Sequence, residues 1–164
     1  MIQQSLLALL DEYRNNTQTP KLLLSRLLEA ARKDENKCWI SLIDDSQLSA
    51  FLTKLEGESP DTLPLYGIPF AVKDNIDLAG LPTTAACPAF SYQPSESATV
   101  VQLLMDAGAI PLGKTNMDQF ATGLVGVRSP EPWGACKNSL NDTMISGGSS
   151  SGSAVALAKG YVCF

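Results

Sequence analysis

The stretch SATVVQLLMDAGAIPLG, residues 97–113, decides the fold class. Its first part carries four apolar side chains at helical spacing, Val100, Val101, Leu104 and Ala107. Gly108 is a typical residue to end that helix, and residues 109–113 then predict a strand. The apolar run at residues 68–72 predicts a strand on the other side of the helix, although Pro69 makes its start irregular. Strand, helix and strand in this order predict an α/β sheet with helical crossovers.

The segment before this unit, residues 1–57, is predicted to be helical. Leucines crowd residues 6–10, and Thr19 followed by Pro20 is a typical start of a second helix. A third helix is expected from about Ser46, with Gly57 as its stop. We therefore divide the chain into a helical segment, 1–57, and a second unit, 58–164.

Composition and charge exclude several classes of function. The chain has 164 residues, enough for one ordinary domain, and its net charge of −5 would repel phosphate backbones, so we expect no nucleic-acid partner. It contains no histidine. That absence excludes a Ser-His-Asp triad, a Cys-His pair and any histidine-ligated metal site within these residues.

The cysteines and the lengths of the apolar runs indicate in which cellular compartment we expect the protein. The four cysteines form no CxxC pair, and their wide spacing predicts free thiols in a reducing compartment. No apolar run reaches the roughly 18–20 residues of a membrane span, and the first residues lack the basic region of a signal peptide. We expect a soluble cytoplasmic protein without a membrane partner.

Two segments have the residue types that chemistry needs. Lys73 follows an apolar run at the expected carboxyl end of a strand, where partial burial would favour a neutral, basic amine. Residues 146–153, SGGSSSGS, lead directly into the apolar helix expected at 154–158. Glycines and a helix start expose backbone N–H groups to an anion or oxyanion, and serines offer hydroxyls. From position alone, other interpretations remain open. Lys73 could be a solvated surface lysine. Residues 146–153 could be a flexible linker or, with weak support because the lysine of that motif is absent, a phosphate-binding loop.

Three segments together resemble the amidase signature family. They are residues 67–75 (GIPFAVKDN), residues 108–118 (GAIPLGKTNMD) and residues 147–154 (GGSSSGSA), and they occur in the family's order. Within that family, residues 79–90 and 118–130 are similar to the allophanate hydrolases. The pattern departs at residues 131–133, Glu-Pro-Trp, where those enzymes continue from Ser-Pro directly into an aromatic residue and glycine.

The resemblance implies a mixed sheet flanked by helices and a Ser–cis-Ser–Lys mechanism. Lys73 would be the base, and Ser149, preceded by a cis peptide bond, would be the bridging serine. The remaining residues expected to bind substrate or shape the loop are Gly147, Gly148, Ser150, Thr122, Gly123 and Arg128. The substrate would be allophanate, a small anionic acyl-urea. No cofactor or metal is required.

The resemblance also carries expectations about the whole protein. Its nucleophile would lie in a second Gly-Ser motif downstream. Residues 161–164 predict a strand with nothing following to pair it, so we interpret the chain as part of a longer protein, with an incomplete fold and no activity alone. The parent would be a cytoplasmic homodimer, with urea carboxylase as its pathway partner.

Other functions remain open at this stage. Within the family, these are a general amidase and the glutaminase component of a tRNA amidotransferase. From other classes, they are a non-catalytic anion-binding module and a structural fragment in which the Gly/Ser stretch is a linker.

Overall fold

A computed structural model describes residue 2 and residues 5–164. These residues contain five α-helices and three β-strands. In chain order they are α1 (Leu6–Arg14), α2 (Pro20–Arg32), β1 (Trp39–Leu42), α3 (Asp45–Lys54), β2 (Pro69–Lys73), α4 (Thr99–Asp106), β3 (Ile110–Thr115) and α5 (Ser151–Ala158). Short 3₁₀ turns lie at Pro88–Phe90 and Gln119–Ala121. No described helix has both the length and the apolar character that crossing a bilayer requires.

The three strands form a mixed sheet in the order β1-β3-β2. Strands β2 and β3 are parallel, and α4 is the helical crossover between them, whereas β1 runs antiparallel to β3. The predicted α/β sheet flanked by helices is confirmed. Because β2 and β3 are parallel, their carboxyl ends meet at the same edge, where ligand sites of such sheets form.

The predicted helices begin where local side chains satisfy the first backbone N–H groups. Thr19 accepts a hydrogen bond from the Leu22 N–H at 3.3 Å, and Pro20 takes the first helical position of α2. Asp44 and Gln47 form a capping box at the start of α3. The leucine stripe of α2 is buried in the core: Leu23, Leu24, Leu27 and Leu28.

Strand β1 corrects the expectation that residues 1–57 are entirely helical. Its four residues, WISL, pair with β3 through Trp39–Thr115, Ser41–Lys114 and Leu42–Gly113. A run this short carries no clear period, and partners more than 70 residues away decide its conformation. The helical segment therefore contributes an edge strand to the sheet, and the division of the chain at residue 57 stays a prediction.

Residues 161–164 do not form the regular strand that the sequence predicts. They nevertheless lie along the free edge of β2. Cys163 donates its N–H to the Pro69 carbonyl at 2.9 Å, and Ala71 donates to the Phe164 carbonyl at 3.0 Å. The Phe164 ring stacks on Phe70 with 5.6 Å between centroids. Two hydrogen bonds attach the segment to the sheet without extending the ladder.

Candidate active site

Lys73 and Ser149 meet at the carboxyl edge of the sheet. Lys73 is the last residue of β2, and Ser149 lies in the loop just before α5. The Lys73 Nζ atom donates a hydrogen bond to the Ser149 Oγ atom at 2.7 Å. The peptide bond between Gly148 and Ser149 is cis. The two residues that the sequence singles out for proton transfer are therefore in direct contact, although 76 positions separate them.

The surroundings of Lys73 favour its neutral form. Partial burial lowers the pKa of the Lys73 ammonium, and the nearby Asp118 carboxylate opposes that effect in part. No carboxylate forms an ion pair with Lys73 among the described residues. An amine placed in this way is neutral, and therefore available as a base, over a wider range of pH than a solvated lysine is.

Asp118 is a central residue of the site that sequence reasoning did not single out. It is fully buried, and its carboxylate accepts the backbone N–H groups of Gly126 at 3.1 Å and Arg128 at 2.8 Å. Its own N–H donates to the Ser149 carbonyl at 3.0 Å. Asp118 thus connects the loop at residues 122–128 to the serine loop. The available signal was its place at the end of the motif at residues 108–118.

Close packing around the Asp118 carboxylate explains two of the glycines. A Cβ atom on Gly148 or Gly123 would overlap the Asp118 carboxylate, which sits against both backbones. Gly147 has a φ of +79°, a conformation that favours glycine. All three were predicted to bind substrate or shape the loop; Gly123 and Gly148 allow the loops to approach the carboxylate, and Gly147 allows the turn of the chain before Gly148.

The serine-rich stretch is folded and does not extend as a linker. Ser151 and Gly152 are buried in the first turn of α5, and the Gly152 N–H donates to the Asn116 carbonyl at 2.9 Å. The Ser153 hydroxyl lies 2.7 Å from the hydroxyl of Thr115. Ser150, predicted as a loop residue, occupies the N-cap position of α5 and is exposed. Its side chain makes no capping bond.

Thr122 and Arg128 lie in the loop that Asp118 holds. The Arg128 guanidinium is exposed and donates to the Thr122 carbonyl at 3.1 Å, so it closes the loop on itself. Their role in holding a substrate stays a prediction. At the departure from the expected pattern, the Glu131–Pro132 bond is cis, and Trp133 and Gly134 both donate their N–H to the Pro130 carbonyl.

Comparisons with known proteins show which family the chain belongs to. The family description "Amidase" matches residues 22–164. Urea amidolyase of Lachancea kluyveri is 55% identical over 141 residues, covering 85% of this chain and 8% of that protein. A glutamyl-tRNA(Gln) amidotransferase component of Akkermansia muciniphila is 39% identical over 160 residues, covering 96% of this chain and 33% of the relative.

Solved structures show the same likeness. A serine-to-alanine variant of Kluyveromyces lactis allophanate hydrolase aligns with a TM-score of 0.85 and 47% identity, over 98% of this chain and 26% of that one. The chain thus spans a tenth or less of the urea amidolyases and about a quarter of the allophanate hydrolase. With the family description matching more than half of its residues, this chain belongs to the amidase family and is similar to urea amidolyase and allophanate hydrolase.

Proposed function

We propose that this chain supplies the base and the bridging serine of an allophanate hydrolase with a Ser–cis-Ser–Lys mechanism. The observation that supports it is the 2.7 Å contact between Lys73 Nζ and Ser149 Oγ next to a cis peptide bond. The distance is within the range for direct proton transfer. Neither a surface lysine nor a simple anion-binding loop needs this contact.

The proposed reaction moves protons along one short chain of groups. Neutral Lys73 accepts the proton of Ser149 while Ser149 takes the proton of a nucleophilic serine. The nucleophile's oxygen forms a bond to the amide carbonyl carbon, and backbone N–H groups stabilise the resulting oxyanion. The protons return through Ser149 to the leaving nitrogen, the C–N bond breaks and ammonia departs. Water then hydrolyses the acyl-enzyme by the same path.

The nucleophile in this proposal lies outside the 164 residues. Three other serines of the loop are nearby, but each has another environment: Ser150 is exposed at the start of α5, Ser151 is buried within the helix, and Ser153 contacts Thr115. None occupies the position of the family's nucleophile. We therefore expect the 164-residue chain alone to release no ammonia, and the relatives' greater length leaves room for the missing motif.

The choice of allophanate rests on the relatives. Those at 53–55% identity over most of the chain are urea amidolyases, and a structural neighbour is an allophanate hydrolase. Hydrolysis of allophanate yields ammonia and carbon dioxide and follows a carboxylation of urea, so a urea carboxylase would be the functional partner. The glutaminase component of a tRNA amidotransferase is the second candidate, because the amidotransferase relative from Akkermansia muciniphila is 39% identical.

The test measures ammonia release from allophanate, glutamine and a simple aliphatic amide. The 164-residue chain and a longer polypeptide that continues through a Gly-Ser nucleophile motif are compared. We expect the longer polypeptide to prefer allophanate and Lys73→Met to lower its kcat by about 10²–10⁴-fold. Lys33→Met, which removes an exposed pair with Glu29, is the matched control and should leave kcat unchanged. Full turnover by Lys73→Met would reject the base, and preference for glutamine would reject the substrate.

A further inference from the structure

A second lysine lies beside the site, fully buried and paired. The Lys114 Nζ atom lies 3.2 Å from the Asp74 carboxylate, and both side chains are 0% exposed. Lys114 also donates to the Thr83 hydroxyl at 2.9 Å and to the Pro82 carbonyl at 3.2 Å. A buried charge is costly unless it is paired and hydrogen-bonded, and Lys114 satisfies both conditions. The proposed reaction does not use it.

The pair and the proposed base occupy opposite faces of the same two strands. Val72 and Lys114 are register partners, and so are Lys73 and Thr115. Because side chains alternate along a strand, Lys114 and Asp74 share one face, while Lys73 and Thr115 share the other. The contacts agree: Thr115 meets Ser153 of α5, and Lys73 meets Ser149.

Hydrogen bonds hold the backbone of Asp74 and its Oδ2 atom. Its N–H donates to the Thr115 carbonyl at 3.2 Å, and its carbonyl accepts from the Ala85 N–H at 3.1 Å. Its Oδ2 atom accepts from the Thr84 N–H at 3.1 Å and from the Thr84 hydroxyl, and Oδ1 faces Lys114. The residue that directly follows Lys73 therefore has a fixed backbone, and this fixes the direction in which Lys73 leaves the strand.

The pairing of Lys114 with Asp74 also compensates the charge of the carboxylate that follows Lys73. Asp74 directly follows Lys73 along the chain, and an uncompensated charge on its carboxylate would favour the protonated form of Lys73. Lys114 supplies the compensating charge on the far face. The other carboxylates near the two lysines are Asp118, which accepts two backbone N–H groups, and Asp77, which accepts hydrogen bonds from Thr83 and Tyr92.

We propose that Asp74 and Lys114 are positioning residues for Lys73. Together they hold the end of β2, and Lys114 compensates the charge of the Asp74 carboxylate, so that Lys73 faces Ser149 as a base. This rests on the proposed function for the role of Lys73. The test does not use turnover, so its failure and a failure of the proposed hydrolase are distinguishable.

The test is an NMR titration of labelled lysine side chains in the 164-residue chain, with Lys73→Met to assign the signal. In the wild type, the assigned Lys73 signal gives the reference titration. Lys114→Met raises the pKa of Lys73 by about one unit, and Asp74→Asn lowers it, because each leaves one uncompensated charge of opposite sign. The double variant returns Lys73 close to its wild-type titration. Lys33→Met serves as the matched control and leaves Lys73 unchanged.

Each outcome decides the proposal. Shifts of opposite sign in the two single variants, cancelled in the double variant, support it, because a merely structural role gives no such sign pattern. Shifts in the same direction, or none, overturn it. If one single variant does not fold, the other remains decisive: a shift of the Lys73 titration opposite to the stated direction, or no shift, overturns the proposal.

Discussion

We predict that Gly152→Ala destabilises the fold, although helix propensity alone predicts the opposite effect. Alanine in place of glycine inside a helix normally stabilises by about 1 kcal/mol. At Gly152, however, a Cβ atom would lie 2.5 Å from the Asn116 nitrogen and 2.8 Å from the Asn116 carbonyl oxygen, and would also overlap the Cys38 carbonyl. These are backbone atoms at the ends of the sheet, which no rotamer change moves away. Gly152→Ala must therefore push α5 off the sheet.

The magnitude follows from three contributions. Overpacking a well-filled site costs about 1–3 kcal/mol, and losing the hydrogen bond from the Gly152 N–H to Asn116 costs about 1 kcal/mol. The gain in propensity offsets about 1 kcal/mol. We expect a net loss of about 1–3 kcal/mol in the free energy of unfolding.

The assay is urea unfolding followed by far-ultraviolet circular dichroism, with Ala154→Gly as the control. Ala154 is exposed on the same helix, so its replacement reports propensity alone and should cost about 1 kcal/mol. A free energy of unfolding for Gly152→Ala equal to or above that of the wild type would refute the reasoning, since it would show that α5 does not approach the backbone of Asn116 and Cys38 this closely.

Two further predictions concern titration. In an active longer polypeptide, kcat/KM falls as the pH decreases through the pKa of Lys73, because the base must be neutral. Burial lowers that pKa, so the fall in kcat/KM lies below pH 10.5. A pH–rate profile in which the fall occurs above pH 10.5 would contradict this prediction. Burial also raises the pKa of Cys163 to about 11 and of Cys136 to about 12, and raises that of Cys38. Alkylation of the folded chain at pH 8, read by peptide mass spectrometry, should therefore label Cys87 first; equal labelling of all four would contradict the burial.

The sequence predicted those parts of the fold that local patterns decide. The N-cap at Thr19 was predicted from adjacent residues, and the crossover helix α4 from the helical spacing of its apolar residues; both are present. Strand β1 was missed because four residues carry no period and their conformation depends on β3. The strand predicted at residues 161–164 does not form a regular ladder, because only two hydrogen bonds join this segment to the edge of β2.

The site was predictable where a motif names its residues. Lys73 and Ser149 were identified from motifs and are in contact. Asp118 and the pair of Asp74 with Lys114 were not, because nothing in a local pattern distinguishes a buried charge from a solvated one. In a single sequence an aspartate after a lysine is most simply a surface residue. Only the packing of several loops onto the sheet edge reveals these groups.

The sequence distance between Lys73 and Ser149 determines when the two side chains can meet during synthesis. A lysine in a nascent chain is hydrated and charged, and the serine that completes the pair emerges from the ribosome 76 residues later. Closing a loop of that length brings contacts of high sequence separation, which form late on the way to the native state. The hydroxyl therefore meets the lysine only once the sheet is assembled, and incompletely folded molecules lack the contact on which the proposed proton transfer depends.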